Sequence, residues 1–266
     1  MNLKKWLGLA VACSALTLAA CGGQKEAAAP AADADAPTAA KTYTVAMNAE
    51  FAPFEFKGND GAIEGFDVDL LNAIAKEMDF QVTYKDIPWD GLFASLNSGD
   101  IDAVMSAVTI TPERKQTMDF TEPYFEVKQV ILLPKGKTLT KLDELKDMTK
   151  VAVVTGNTGD FVAQKILGAT NPKIARYERV ALVVKEIENA GADAALSDSA
   201  VVRHYVKNNG SDNFTIIDSD EVDSEFYGMA VRPGDELQTL FNQGLEKIKA
   251  NGEYDKVYNK YFAGNQ

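Results

Sequence analysis

The sequence predicts an α/β protein in two lobes, each a mixed, mainly parallel sheet flanked by helices, with two strands crossing between them. Three observations carry this expectation. Short apolar runs alternate with stretches of helical periodicity in a strand–helix–strand–helix–strand order, and the order occurs twice. About 225 residues follow a polar, alanine-rich stretch, enough for two lobes of about 100–120 residues, each with its own core. A strand-like run at 226–231 comes after the second unit and precedes two further helices, so the chain is expected to cross between lobes near 124–130 and again near 223–228.

The elements follow in order. Residues 43–47 alternate as a strand, and 48–54 make a loop with Phe51 and Phe54 around Pro53. Gly58-Asn59-Asp60-Gly61 is a hairpin turn signal. From Phe66, the residues Leu70, Leu71, Ile74, Ala75 and Met78 recur at helical spacing. Residues 80–84 read as a second strand. Trp89 opens a helix with Leu92, Phe93 and Leu96 inward and Gly99 near its end. Residues 101–107 read as a third strand, feeding a turn and then a helix for which Thr111 is a good N-cap and Pro112 a good first residue. In such sheets ligands bind beyond the carboxyl ends of the strands, where Asn48, Trp89 and the 106–114 turn fall. The second unit repeats the scheme. Strands are expected at 128–134, 151–154, 174–177, 192–196 and 214–217, with helices from Leu142, Ala181 and Asp198 between them and a further one carrying Phe161, Val162, Lys165 and Ile166 after a turn at 155–160. Residues 226–231 return to the first lobe, and helices at 237–248 and 254–262 close the chain. The cleft between lobes is the default ligand site.

The turn at 106–114 is a cluster of donors: free backbone N–H groups, the Thr109 hydroxyl and the Arg114 guanidinium. A planar guanidinium matches both oxygens of a carboxylate. The same spacing also describes an ordinary capped helix with Arg114 on a solvated face. Thr109-Ile110-Thr111-Pro112-Glu113-Arg114 resembles the T-x-T-x-x-R signature of the bacterial periplasmic solute-binding proteins of family 3, which bind polar amino acids for ABC importers. Phe51-Ala52-Pro53-Phe54-Glu55-Phe56, Gly65-Phe66-Asp67-Val68-Asp69-Leu70 and Asp119-Phe120-Thr121-Glu122-Pro123-Tyr124 resemble further segments of that family, in its order, across residues 42–262.

The resemblance implies a type II periplasmic-binding-protein fold, with 42–127 plus 226–266 as lobe 1 and 128–225 as lobe 2. It also implies a site. The ligand carboxylate would meet Arg114, Thr109, Thr158 and Gly159. The ammonium would meet Asp198, with Ala107 and Thr109. Asn48, Glu50, Phe51, Trp89, Thr155 and Ser197 would surround the side chain. Other uses of these residues stay open: Asp198 suits a helix N-cap, Gly156 and Gly159 suit a bare loop-to-helix turn, and aromatics such as Phe51 and Trp89 commonly pack in cores. Phe54 and Asp193 read as structural. Asn48 offers no countercharge where relatives that bind basic side chains often carry an acid, although Glu50 is close by. The expected ligand is therefore a neutral polar amino acid of glutamine or cystine size.

At the amino terminus, Lys4 and Lys5 precede an apolar run at 6–20, a signal-peptide layout shorter than the roughly 20 apolar residues of a spanning helix. Leu18-Ala19-Ala20-Cys21 resembles a lipobox, which implies cleavage before Cys21 and lipidation of that residue; a plain secretory signal or an uncleaved anchor are the alternatives. Residues 22–41 carry no large apolar side chain and read as a disordered tether. With Cys13 in the removed segment, no disulfide forms within the chain. The expected location is the periplasm, anchored by lipid to the inner or outer membrane or displayed at the cell surface.

The chain has 27 Lys plus Arg against 39 Asp plus Glu, a net charge of −12, which argues against nucleic acid as a partner. The expected partners are a free amino acid and an ABC permease in the inner membrane, with the receptor a monomer that needs no cofactor or metal. His204 is the only histidine and sits in a helical pattern, and neither a G-x-x-x-x-G-K-[ST] loop nor a G-x-S-x-G elbow occurs. A binding protein rather than an enzyme is expected. Two alternatives are a cyclohexadienyl (arogenate or prephenate) dehydratase on this fold, with Glu50 as general acid, and a surface interaction lipoprotein.

Overall fold

A computed structural model describes residues 40–210 and 213–263. The chain begins with β1 (Thr42–Met47), followed by the short strands β2 (Glu50–Phe51), β3 (Glu55–Lys57) and β4 (Ile63–Glu64), which pair as a small antiparallel sheet around the Gly58–Gly61 turn. α1 (Phe66–Glu77) buries Phe66, Leu70, Leu71 and Ile74, the face its periodicity marks. It starts at Gly65, whose φ is +139° and where a Cβ would sit 2.1 Å from the Phe54 carbonyl oxygen, so only glycine fits. Next come β5 (Gln81–Asp86) and α2 (Trp89–Ser98), which Gly99 ends in the left-handed conformation.

β6 is only Ala103–Val104. The strand expected at 101–107 is shorter at both ends, and Ala107, with a positive φ of 46°, lies outside strand geometry altogether. The helix expected after Thr111 is a single 3-10 turn, Arg114–Gln116. Thr111 Oγ1 does accept the Arg114 N–H at 3.2 Å, but the chain must re-enter the sheet at β7 (Asp119–Phe120), which leaves no length for more turns.

The chain then runs through β8 (Phe125–Val127), β9 (Gln129–Pro134), a 3-10 segment (Leu142–Asp147), β10 (Val151–Val154) and α3 (Thr158–Leu167). β11 (Ile174–Tyr177), α4 (Val180–Glu188), β12 (Ala194–Asp198), α5 (Ser199–Asn209) and β13 (Phe214–Asp218) complete this unit. The strand expected at 226–231 is two strands, β14 (Glu225–Tyr227) and β15 (Ala230–Val231). They part at Gly228, whose N–H donates to the Val108 carbonyl at 3.0 Å. α6 (Glu236–Ala250) and α7 (Glu253–Phe262) follow.

Two five-stranded sheets result, ordered β5-β1-β6-β15-β7 and β11-β10-β12-β9-β13. In each, a single strand runs against the rest: β15 in the first and β9 in the second. Between them, β8 and β14 pair antiparallel, Phe125 opposite Tyr227, as a two-stranded ribbon. Beneath it lies an aromatic cluster, with the ring of Phe54 4.8 Å from that of Phe125 and 5.2 Å from that of Tyr227. Among the described residues no helix is long and apolar enough to cross a membrane.

Candidate functional site

The carboxyl ends of the parallel strands in both sheets face one cleft. The first sheet brings Asn48 after β1, Trp89 at the start of α2, and Ala107, Thr109 and Arg114 after β6; Glu50 and Phe51 come from β2. The second brings Thr158 after β10, Glu178 and Arg179 after β11, and Asp198 at the end of β12. Nine of the residues expected on the site therefore line one cavity, although they come from segments up to 150 positions apart.

Arg114 is 8% exposed. Its Nη1 donates to the Thr109 carbonyl at 2.7 Å and its Nη2 to the Gly156 carbonyl, on the other side of the cleft, at 3.2 Å. The guanidinium lies over the rings of Trp89 and Phe93, 5.3 and 5.5 Å from their centroids. Burial pulls its pKa down to about 10, opposed by the charges of Asp198 and Glu225, so it remains a cation at neutral pH. The solvated-face alternative is thereby removed.

Asp198 is 4% exposed. It stands at the N-cap position of α5, but its side chain makes no capping bond. Instead it accepts from the Tyr227 hydroxyl and from Gln129 Nε2. Burial pushes its carboxyl up, while those two donors and the Arg114 charge favour the ionised form. The Gln129 amide also reaches Thr158 Oγ1 at 3.0 Å and Glu225 Oε2 at 3.3 Å. Thr109 Oγ1 donates to the same Glu225 oxygen at 3.3 Å. The cleft floor is thus a polar network with Arg114 at one end and Asp198 at the other.

Three expected contacts lie elsewhere. Ser197 is buried away from the cavity, because alternate residues of β12 point to opposite faces and Asp198 takes the cleft side. Gly159 is packed on β12, where a Cβ would come within 2.6 Å of the Leu196 carbonyl oxygen. The Thr155 hydroxyl donates to the Tyr177 carbonyl at 3.3 Å and borders only an outer vestibule. Phe54 is fully buried in the core, and Asp193 accepts the Thr149 and Lys150 N–H groups at 2.7 and 3.0 Å, so both are structural. Cys21, residues 1–20 and nearly all of the tether lie outside the described residues.

Sequence reasoning missed Gln129, Glu178, Arg179, Glu225 and Tyr227. None belongs to a recognisable local motif; strand pairing brings them to the site. Glu50 and Arg179 form an ion pair of 2.8 Å from opposite sides of the mouth. Asp86, Asp90 and Glu178 border the same vestibule with Glu50 and Arg179. Asp86 is itself paired with Lys57 at 2.6 Å, which leaves Asp90 and Glu178 as the acids there without an ion pair among the described residues. No group of three or more metal-ligating side chains occurs among the described residues.

Two sheets opening onto one charged cleft, joined by a two-stranded ribbon, define a two-lobed binding protein for a small solute. The chain belongs to the bacterial extracellular solute-binding proteins, family 3, whose model matches residues 43–264. It is 56% identical to a probable histidine-binding protein of Neisseria gonorrhoeae, over 99% of this chain and 97% of that one. The arginine-, lysine-, histidine-binding protein ArtJ of Geobacillus stearothermophilus superposes with a TM-score of 0.79 at 39% identity, over 84% of this chain and 95% of that one. An ancestral arginine-binding protein bound to arginine gives 0.78 at 37% identity, over 85% and 100%.

Proposed function

We propose that this protein is an extracytoplasmic receptor that captures a basic L-amino acid and delivers it to an ABC importer by closing two lobes. The observation that carries this reading is a buried guanidinium and a buried carboxylate on one cavity. Arg114, with Thr109 and Thr158, answers the ligand carboxylate. Asp198, with Ala107, answers the α-ammonium. Phe51 and Trp89 cover the aliphatic part of the side chain. The outer end of the site supports a cationic rather than a neutral side chain: Glu50, Glu178, Asp86 and Asp90 border it against Arg179 alone, and Glu178 and Asp90 are left over once Glu50 pairs with Arg179 and Asp86 with Lys57. That acidity outweighs the argument from Asn48 for a glutamine-sized ligand, and the relatives named for histidine, arginine and lysine point the same way. The lobes in this reading are 42–127 with 226–266, and 128–225. The ribbon of β8 and β14 is the hinge. Cys21 carries the lipid that holds the receptor at a membrane.

A thermal-shift panel of the common L-amino acids plus cystine tests the ligand class, since a ligand that binds only the folded state raises the melting temperature. Histidine, arginine or lysine should give the largest shift. A larger shift with glutamine or cystine would return the reading to a neutral ligand.

A further inference from the structure

Behind the cleft wall two carboxyls meet in the core. Glu55 on β3 and Asp67 on α1 are both fully buried, and Glu55 also lines the cavity. Glu55 Oε1 accepts the Ser106 hydroxyl at 2.8 Å, and Ser106 Oγ in turn accepts the Asn48 N–H at 3.0 Å. Asp67 Oδ2 accepts the Ala107 N–H at 2.9 Å and the Tyr124 hydroxyl at 2.8 Å. The other two oxygens, Glu55 Oε2 and Asp67 Oδ1, are buried without a donor. Two ionised carboxylates in direct contact repel, and a desolvated oxygen without a donor is costly. One proton removes both problems.

We propose that Glu55 and Asp67 share a single proton, and that this proton holds Ser106 and Ala107 in the conformation the ligand site requires. Ala107 has the positive φ that non-glycine residues avoid, and its N–H is tied to Asp67. On the other side Ser106 is tied to Glu55, and Asn48 to Ser106. Loss of the proton sets two charges against each other under this turn. Glu55 and Asp67 are positioning residues, acting on the ligand through Ser106 and Ala107.

The charges around the pair fit. Tyr124, Tyr84 on β5 and Asp198 at the end of β12 are the titratable groups that face it from other elements. Burial pushes both tyrosines up, and the Asp198 charge adds to the pressure on Glu55 to stay neutral. Burial lifts Glu55 well above the carboxylate range. Burial also lifts Asp67, to about 7, against the Ala107 N–H and the Tyr124 hydroxyl, which favour its ionised form. A carboxyl raised in the folded state stabilises fully below its unfolded pKa, about 4, and loses that contribution as pH rises through its folded value. The loss therefore begins at about pH 4, where the unfolded carboxyls ionise, and for Glu55, raised furthest from the ordinary carboxylate range by burial, it continues above neutral pH.

Three measurements on the purified full chain test the proposal, and the two ligand-free ones stand apart from the proposed function. In infrared spectra at neutral pH, the wild type should show the C=O stretch of a neutral carboxyl, and Glu55→Gln should remove it. Without ligand, the melting temperature of the wild type should fall as pH rises above neutral, and Glu55→Gln, which cannot ionise, should flatten that fall. In titrations with arginine and histidine, Glu55→Ala should weaken binding about tenfold through a lost buried hydrogen bond. Glu55→Gln should recover part of that loss and show a shallower alkaline decline than the wild type. An absent infrared band, or a Glu55→Gln melting profile that tracks the wild type, would overturn the proposal. So would an equal loss of affinity in both variants at every pH, which would mark Glu55 as an ionised ligand contact. A wild type that binds no amino acid would overturn the proposed function alone.

Discussion

Arg114 shows how one charged side chain is held inside a cleft. It keeps its charge in a buried place because two carbonyls, the rings of Trp89, Phe93 and Phe161, and the carboxylates of Asp198 and Glu225 surround it. Removing one partner of a buried, hydrogen-bonded ion pair costs on the order of 3–5 kcal/mol. Arg114→Ala should therefore weaken amino-acid binding by at least roughly a hundredfold, read by calorimetric titration. Unchanged affinity would remove Arg114 from the site. Its place on the cleft is legible in the sequence because the T-x-T-x-x-R spacing keeps donor and turn together. Glu225, Gln129 and Tyr227 are not legible in that way. Each is an ordinary residue of an apolar or polar strand until pairing sets it beside Asp198.

At the scale of elements, the loop of β2 and β3 and the start of α1 carry Glu50, Phe51, Glu55 and Asp67 as one unit. Gly65 makes that unit possible, since the Phe54 backbone occupies the space any side chain there would need. Gly65→Ala should cost about 2 kcal/mol or more and lower the melting temperature by roughly 4–8 °C. A melting temperature within a degree or so of the wild type would show that the turn relaxes freely. Periodicity marks α1, α2, α6 and α7 clearly, because each has one wet and one dry face. It overstates β6 and the segment after Thr111. A continuous apolar run says that residues are buried, not that they stay in register with a neighbour.

For the whole molecule, two sheets are joined by the narrow β8–β14 ribbon, and the proposed function has the cleft close about it. Closure by ligand requires contacts that exist only when both sides meet, such as Arg114 with one lobe and Asp198 with the other. Small-angle scattering should show a smaller radius of gyration on saturation with a basic amino acid. A radius unchanged by a ligand proven to bind would rule out lobe closure as the signal to an importer.

Local chemistry is enough to specify the alternation of strands and helices, the donor turn ending in Arg114, and the Asp at the head of α5. Each depends on residues a few positions apart. The long-range pairing is what turns Asp198 inward and Ser197 away, sets Glu50 against Arg179, and presses Glu55 onto Asp67. Those outcomes follow from sheet order and from how two layers pack, and a pattern read along one chain carries no record of which distant residue will lie opposite.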